Sequence, residues 1–139
     1  MTDDLILYTN PMSRGRIARW MLEETGQPYR VEVRAFDQLK RPEFLAVNPT
    51  GKVPAVVHRG AVVTETGAVC AYLADAFPDA GLGPAPGDPR RAAYLRWMFF
   101  AAGPVEAAVT AKALNLLAPA ERAGMAGYGS FEQMVDALE

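Results

Sequence analysis

Leu5-Ile6-Leu7-Tyr8 is a short apolar run ended by Thr9-Asn10-Pro11-Met12-Ser13, the pattern of a buried strand closed by a turn. From Arg14 the spacing changes. Ile17, Ala18, Met21 and Leu22 share one helical face, and Arg19 with Glu23 forms an i,i+4 pair on the other. Gly26 stands where a helix C-terminus wants a left-handed residue, and Pro28 follows. Tyr29 to Val33 alternates as a half-buried strand. Phe36 to Val47 is less regular, with Pro42 predicted to start a short helix carrying Phe44 and Leu45. Ala55 to His58 and Ala61 to Val63 flank Arg59-Gly60, a two-residue hairpin signal. Val69, Tyr72, Leu73 and Ala76 then trace an i, i+3, i+4, i+7 face that ends at Phe77-Pro78.

The order is β-α-β, an irregular helix, then β-β-α. It predicts an α/β layer on a mixed four-stranded sheet, because the hairpin pair must be antiparallel. A domain over 1–78 is expected, then a Pro/Gly-rich linker over 79–88 and a helical domain over 89–139. In the last, Arg90 to Leu117 is rich in Ala, Leu and aromatics, and Gly103-Pro104 is predicted to kink it. Pro119 to Glu139 reads as a further helix interrupted by Gly124, Gly127 and Gly129.

With 139 residues, half of them apolar, the chain can bury one good core. A net charge of −2 and a pI near 5.4 offer no attraction to nucleic acid or to an anionic membrane. No apolar run approaches the ~20 residues that span a bilayer. Met1-Thr2-Asp3-Asp4 is acidic, unlike a secretory leader, so a soluble cytoplasmic protein is expected. Cys70 has no second cysteine to pair with, and with the lone His58 it makes no familiar metal spacing. Both are read as packing residues, as is the run Trp97-Met98-Phe99-Phe100, which is expected in a core or an interface.

Two segments carry chemistry. Asn48-Pro49-Thr50-Gly51-Lys52-Val53-Pro54 is a turn-rich loop delivering an X-Pro pair to a β-branched segment. Glu65-Thr66 puts an acid and a hydroxyl at a helix start. A strand edge beside a helix N-terminus suits a small peptide-like ligand with charged ends.

These two segments, together with Tyr8-Thr9-Asn10-Pro11-Met12-Ser13-Arg14-Gly15-Arg16-Ile17, resemble the N-terminal domain of glutathione S-transferases, the bacterial ones most closely. The likeness covers residues 4 to 78 and runs into the first helices beyond. It implies a thioredoxin-like βαβ-α-ββα domain followed by an all-α domain, here truncated, in a protein that dimerises. It also implies glutathione as co-substrate, a hydrophobic electrophile as second substrate, and a cis peptide at Val53-Pro54. The helical domain is shorter than the family's, leaving Tyr94, Trp97, Met98 and Phe100 short of cover unless a neighbour supplies it.

On this resemblance the backbone of Val53, beside Pro54, pairs with the cysteinyl part of glutathione. Pro54 could equally just start the strand and blunt its edge. Thr66 offers its N–H and hydroxyl to the γ-glutamyl carboxylate, and Glu65 takes the ammonium. Thr64 as a plain helix cap is compatible with both. The family carries Ser more often than Thr at position 66. Lys52 is placed on the glycine carboxylate, with Arg14 and Lys40 as lesser candidates.

Glutathione chemistry needs a thiolate, and a free thiol titrates near ~8.5. Lowering that by about two units requires roughly 2.7 kcal/mol. One hydrogen bond to a charged group supplies ~1.5–3 kcal/mol, so a single hydroxyl at the first helix suffices. Ser13 sits there, where serine-type members place their activating group; an ordinary cap is the competing reading. Asn10 is the alternative donor, from its amide, and Tyr8 and Thr9 lie close by. Thioredoxin-like oxidoreductases carry Cys-x-x-Cys where this chain has Asn10-Pro11-Met12-Ser13, so protein disulfide exchange is excluded at this site. A non-catalytic glutathione-binding module and a glutathione-dependent isomerase or dehalogenase remain open beside the transferase.

Overall fold

The computed structural model describes residues 4–139. The stretch Met1–Asp3, on which the expectation about a leader partly rests, lies outside the described residues. The chain divides into two units, 1–88 and 89–139.

In the first unit, strand β1 (Leu5–Thr9) runs parallel to β2 (Arg30–Val33) and antiparallel to β3 (Ala55–His58), which pairs with β4 (Ala61–Thr64). The sheet order is β2-β1-β3-β4. The β3–β4 connection is the predicted two-residue hairpin. Arg59 and Gly60 have φ of 52° and 81°, both left-handed, the combination whose twist suits a tight hairpin.

Helices α1 (Gly15–Thr25) and α3 (Thr66–Ala76) pack together over one face of this sheet. Leu5, Leu7, Ala18, Leu22, Val56, Val69 and Leu73 form the core between them. Residues of alternate parity on β1 point to the other face, where Tyr8 meets Phe44 edge to face at 5.8 Å. Phe44 belongs to α2 (Pro42–Leu45), which Pro42 starts at its first turn as predicted. This mixed sheet with helices is the thioredoxin-like arrangement.

Two expectations need correction. Ile17 does not share the buried face of α1, being 43% exposed while Ala18 and Leu22 are sealed. The core-facing line runs through Ala18, Leu22 and Thr25, and Ile17 stands more than a quarter turn away from it at about 100° per residue. Thr64 does not cap α3. It is the last residue of β4, paired with Ala55, and Glu65 becomes the N-cap without a capping side-chain bond.

The second unit holds α4 (Arg91–Phe100), a π-helical turn over Ala101–Val105, α5 (Glu106–Ala113) and α6 (Phe131–Asp136). The π turn contains Gly103-Pro104, so the predicted interruption takes this form. The stretch after Pro119 is a 3-10 segment, Ala120–Met125, and then α6, capped reciprocally by Ser130 and Gln133. Trp97 packs against Phe100 at 5.6 Å, and Phe99 is 74% exposed. No residue of α4 is buried, so Phe99 is not a core residue here. No described helix is long and apolar enough to cross a membrane.

Candidate functional site

The strand register brings the predicted residues to one end of the sheet. Tyr8 pairs with Ala55, Ala55 with Thr64, and Thr9 with Val33. The chain therefore leaves β1, β2 and β4, and enters β3, at the same edge. There the β1–α1 loop, the segment after β2, the loop before β3 and the start of α3 lie side by side.

A groove of about 440 Å³ opens at this edge. Met12, Ser13 and Arg14 line it from the β1–α1 loop, Phe36, Leu39 and Lys40 from the 3-10 turn after β2, and Gly51, Lys52 and Val53 from the loop before β3. Among the described residues three cationic side chains and no carboxylate line it. The groove thus favours an anionic end of a ligand, while Met12 and Phe36, 83% and 57% exposed, provide apolar contact surface.

Of the sequence-predicted residues, Ser13, Lys52 and Val53 meet in this groove. Asn10 and Pro54 are buried and not part of its lining. The Val53-Pro54 peptide is cis. Glu65 and Thr66 are not part of the groove lining; they follow Thr64, which pairs with Ala55, at the start of α3.

Ser13 is held locally. Its Oγ donates to the Asn10 carbonyl at 2.7 Å and accepts the Gly15 N–H at 3.0 Å. Asn10 is engaged on both sides of its amide: Nδ2 donates to the Arg34 carbonyl at 2.8 Å, and Oδ1 accepts the Met12 N–H at 2.9 Å. The one hydroxyl proton of Ser13 is thus already engaged, and the Asn10 amide is held at both its oxygen and its nitrogen.

Glu65 has φ 68° and ψ 119°, a backbone conformation that non-glycine residues avoid. Such residues cost of order 1–3 kcal/mol and cluster at functional sites. Its side chain is exposed, and its carbonyl accepts the first helical bond of α3, from Val69 N–H at 2.8 Å. The carboxylate is therefore available beside the positive end of the helix dipole.

Three structural residues escaped the sequence reading. Asn48, buried, folds the loop before β3: Oδ1 accepts from Thr50 N–H at 3.1 Å and Thr50 Oγ1 at 2.9 Å, and Nδ2 donates to the Lys52 carbonyl at 2.9 Å. Asn before Pro-x-Gly is an Asx-turn signal that would have found it. Gly51, at φ 61°, lets Lys40 cross the loop and donate to the Thr50 carbonyl at 3.1 Å; a Cβ there would stand 2.8 Å from Lys40 Nζ. Gly15 lets the helix start close against β1, since its Cβ would fall 2.0 Å from Thr9 Oγ1.

His58 and Cys70 are structural. The His58 ring, buried, bonds the Tyr72 hydroxyl through Nδ1 at 2.9 Å. Burial pushes the Cys70 thiol above its ordinary pKa, away from thiolate reactivity. Among the described residues no group of three His, Cys, Asp or Glu side chains could hold a metal.

The first unit is thus a thioredoxin-like sheet with a cation-lined groove at one end. Comparison with known proteins gives its family. Residues 3–75 match the family model of the glutathione S-transferase N-terminal domain, and the chain belongs to the glutathione S-transferase family. A curated relative, glutathione S-transferase GST-4.5 of Xanthomonas campestris pv. campestris, is 32% identical over 94 residues, covering 68% of this chain and 46% of that one. The crystal structure of a glutathione transferase from Methylococcus capsulatus superposes with a TM-score of 0.76 at 28% identity, covering 96% of this chain and 67% of that one. A sphingomonad glutathione S-transferase complexed with glutathione gives 0.71 at 30% identity, covering 96% and 66%. The chain spans less than half the length of the curated relatives it matches.

Proposed function

We propose that this chain binds glutathione at the sheet end and adds its thiolate to an electrophilic small molecule. The observation that carries the reading is the convergence of Ser13, Lys52 and Val53 on one groove at the end of the sheet where β4 hands over to α3 through the strained Glu65. In this reading Val53 pairs with the cysteinyl backbone of an extended tripeptide, with Pro54 closing the strand end behind it. Lys52, aided by Arg14 and Lys40, holds the glycine carboxylate. Glu65 takes the ammonium and Thr66 the carboxylate of the γ-glutamyl head. Met12 and Phe36 offer the electrophile an apolar contact, and a second copy of the chain is the expected partner.

Activation of the thiol falls to Ser13. Its hydroxyl proton turns from the Asn10 carbonyl to the incoming sulfur. That carbonyl keeps a donor, because the Ser13 N–H also reaches it at 3.0 Å. A neutral hydrogen bond contributes ~0.5–1.5 kcal/mol net and one to a charged group ~1.5–3 kcal/mol, so the exchange favours the thiolate. The thiol proton leaves to solvent, the thiolate sulfur attacks the electrophilic carbon, a carbon–sulfur bond forms, and a halide or comparable leaving group departs with the bonding pair.

Conjugation of glutathione to an activated aryl halide tests the reading. Ser13→Ala should lower turnover about tenfold to a hundredfold, the value of one bond to a charged sulfur. Unchanged turnover would remove the assignment. A second reading, a glutathione-binding module without turnover, is favoured by one observation: the Ser13 hydroxyl is already bonded to Asn10. Saturable glutathione binding with no conjugation of any electrophile would select it.

A further inference from the structure

We propose that Asn10 is the positioning residue for Ser13: it holds the hydroxyl in place for the sulfur and does not touch the sulfur itself. This rests on the glutathione reading above.

Asn10 is 9% exposed and directly follows β1. Its side-chain amide joins the end of β2, through Nδ2 to the Arg34 carbonyl at 2.8 Å, to the loop ahead, through Oδ1 from the Met12 N–H at 2.9 Å. The Arg34 N–H returns a bond to the Thr9 carbonyl at 2.9 Å, so the two strand ends are stitched twice. The Asn10 backbone carbonyl then receives both Ser13 groups, the N–H at 3.0 Å and Oγ at 2.7 Å. One buried residue thus fixes the path of the loop and the resting direction of the hydroxyl.

Only an amide side chain does this. A buried group that must donate on one side and accept on the other needs both functions within one planar unit. Aspartate accepts from Met12 but points a carboxylate oxygen at the Arg34 carbonyl. Alanine leaves both partners unbonded. Asn10 is buried and outside the groove lining, which separates it from Ser13, which lines the groove and whose proton can move without orphaning its acceptor.

The test measures the apparent pKa of glutathione's thiol on the protein, from thiolate absorbance against pH, in the wild type, Asn10→Ala, Asn10→Asp, Ser13→Ala and the double variant Asn10→Ala/Ser13→Ala. Circular dichroism checks folding, and Asn10→Asp, which keeps the volume, serves if the alanine form does not fold. We expect both Asn10 variants to raise that pKa and lower kcat about tenfold, with KM for glutathione changed less than about threefold. We also expect the double variant to match Ser13→Ala alone, since residues acting through one another are not additive.

If the wild type binds glutathione without lowering its thiol pKa, or does not bind it, the functional reading and this inference fall together. If the wild type lowers it and the folded Asn10 variants do so equally, the inference alone is overturned. An Asn10 effect that persists at full size in the Ser13→Ala background also overturns it, by giving Asn10 a contact of its own.

Discussion

Gly15 and Thr9 approach so closely that a methyl group on Gly15 would stand 2.0 Å from Thr9 Oγ1 and 3.0 Å from Ser13 Oγ. The end of β1 and the start of α1 are brought together by the absence of one side chain. Gly15→Ala must push either the strand end or the Ser13 hydroxyl aside. Overpacking of this kind costs about 1–3 kcal/mol. We expect a lowered midpoint in denaturant together with loss of conjugation larger than that of Ser13→Ala, because the whole loop moves. A variant of unchanged stability and activity would show that the contact relaxes freely.

The backbone of Glu65 gives a second prediction. Glycine adopts φ 68° and ψ 119° without a Cβ conflict. Relief of ~1–3 kcal/mol of strain, less the ~0.5–1 kcal/mol entropic cost of glycine, leaves a net gain of about 1 kcal/mol for Glu65→Gly. The same change removes the carboxylate proposed for the ammonium, and glutathione binding should weaken about tenfold or more. Stability rising while affinity falls is the signature to look for in melting and binding curves. A fall in both would assign Glu65 to the fold.

Cys70 supplies a prediction about pH. Burial raises its thiol pKa in the folded protein, so the folded state disfavours the thiolate relative to the unfolded chain. The folded and unfolded chains bind the proton alike below the ordinary value, 9.0. Above it the unfolded chain ionises first, and stability falls as pH climbs toward the raised folded value. Cys70→Ala should flatten that alkaline decline and leave conjugation at neutral pH untouched. Alkylation of the folded protein should be much slower than of the chain in urea; equal rates would contradict the burial argument.

Tyr72 and His58 give a prediction confined to the fold. Tyr72→Phe takes the hydroxyl from the buried His58 ring and leaves a polar atom without its partner, costing about 1–3 kcal/mol. Denaturant unfolding should register this, and glutathione affinity should stay as it was. A matching loss of affinity would link the far end of β3 to the site.

Much of the first unit is legible in the sequence because each element carries its own local signal. Pro42 starts α2, Arg59-Gly60 turns the hairpin, and Gly26 closes α1 with a left-handed φ of 66°. The loop before β3 is legible as a turn, and the Asn-Pro-x-Gly order also encodes its organiser, Asn48, through the local bonds to Thr50. On α1 the spacing places Ala18, Met21 and Leu22 on the core side but adds Ile17, because apolar spacing alone cannot tell a buried Ala18 from an exposed Ile17. The side-chain bonds of Ser13 and the bond from Met12 to Asn10 are local to the β1–α1 loop, whereas the bond from Asn10 Nδ2 to the Arg34 carbonyl joins residues 24 apart in sequence, and no short pattern encodes it. In the second unit the aromatic run of α4 reads as core or interface; Trp97 and Phe99 are exposed and Met98 and Phe100 half-buried, since helical periodicity reports amphipathicity and not what covers it.

The central claim is that reduced glutathione lies along Val53 with its γ-glutamyl head at Glu65 and Thr66. Calorimetric titration of the folded chain with reduced glutathione tests it most directly, run beside Glu65→Ala. The account predicts a saturating heat at one tripeptide per chain that weakens about tenfold or more in the variant. No heat from the wild type, or equal binding by both proteins, would contradict it.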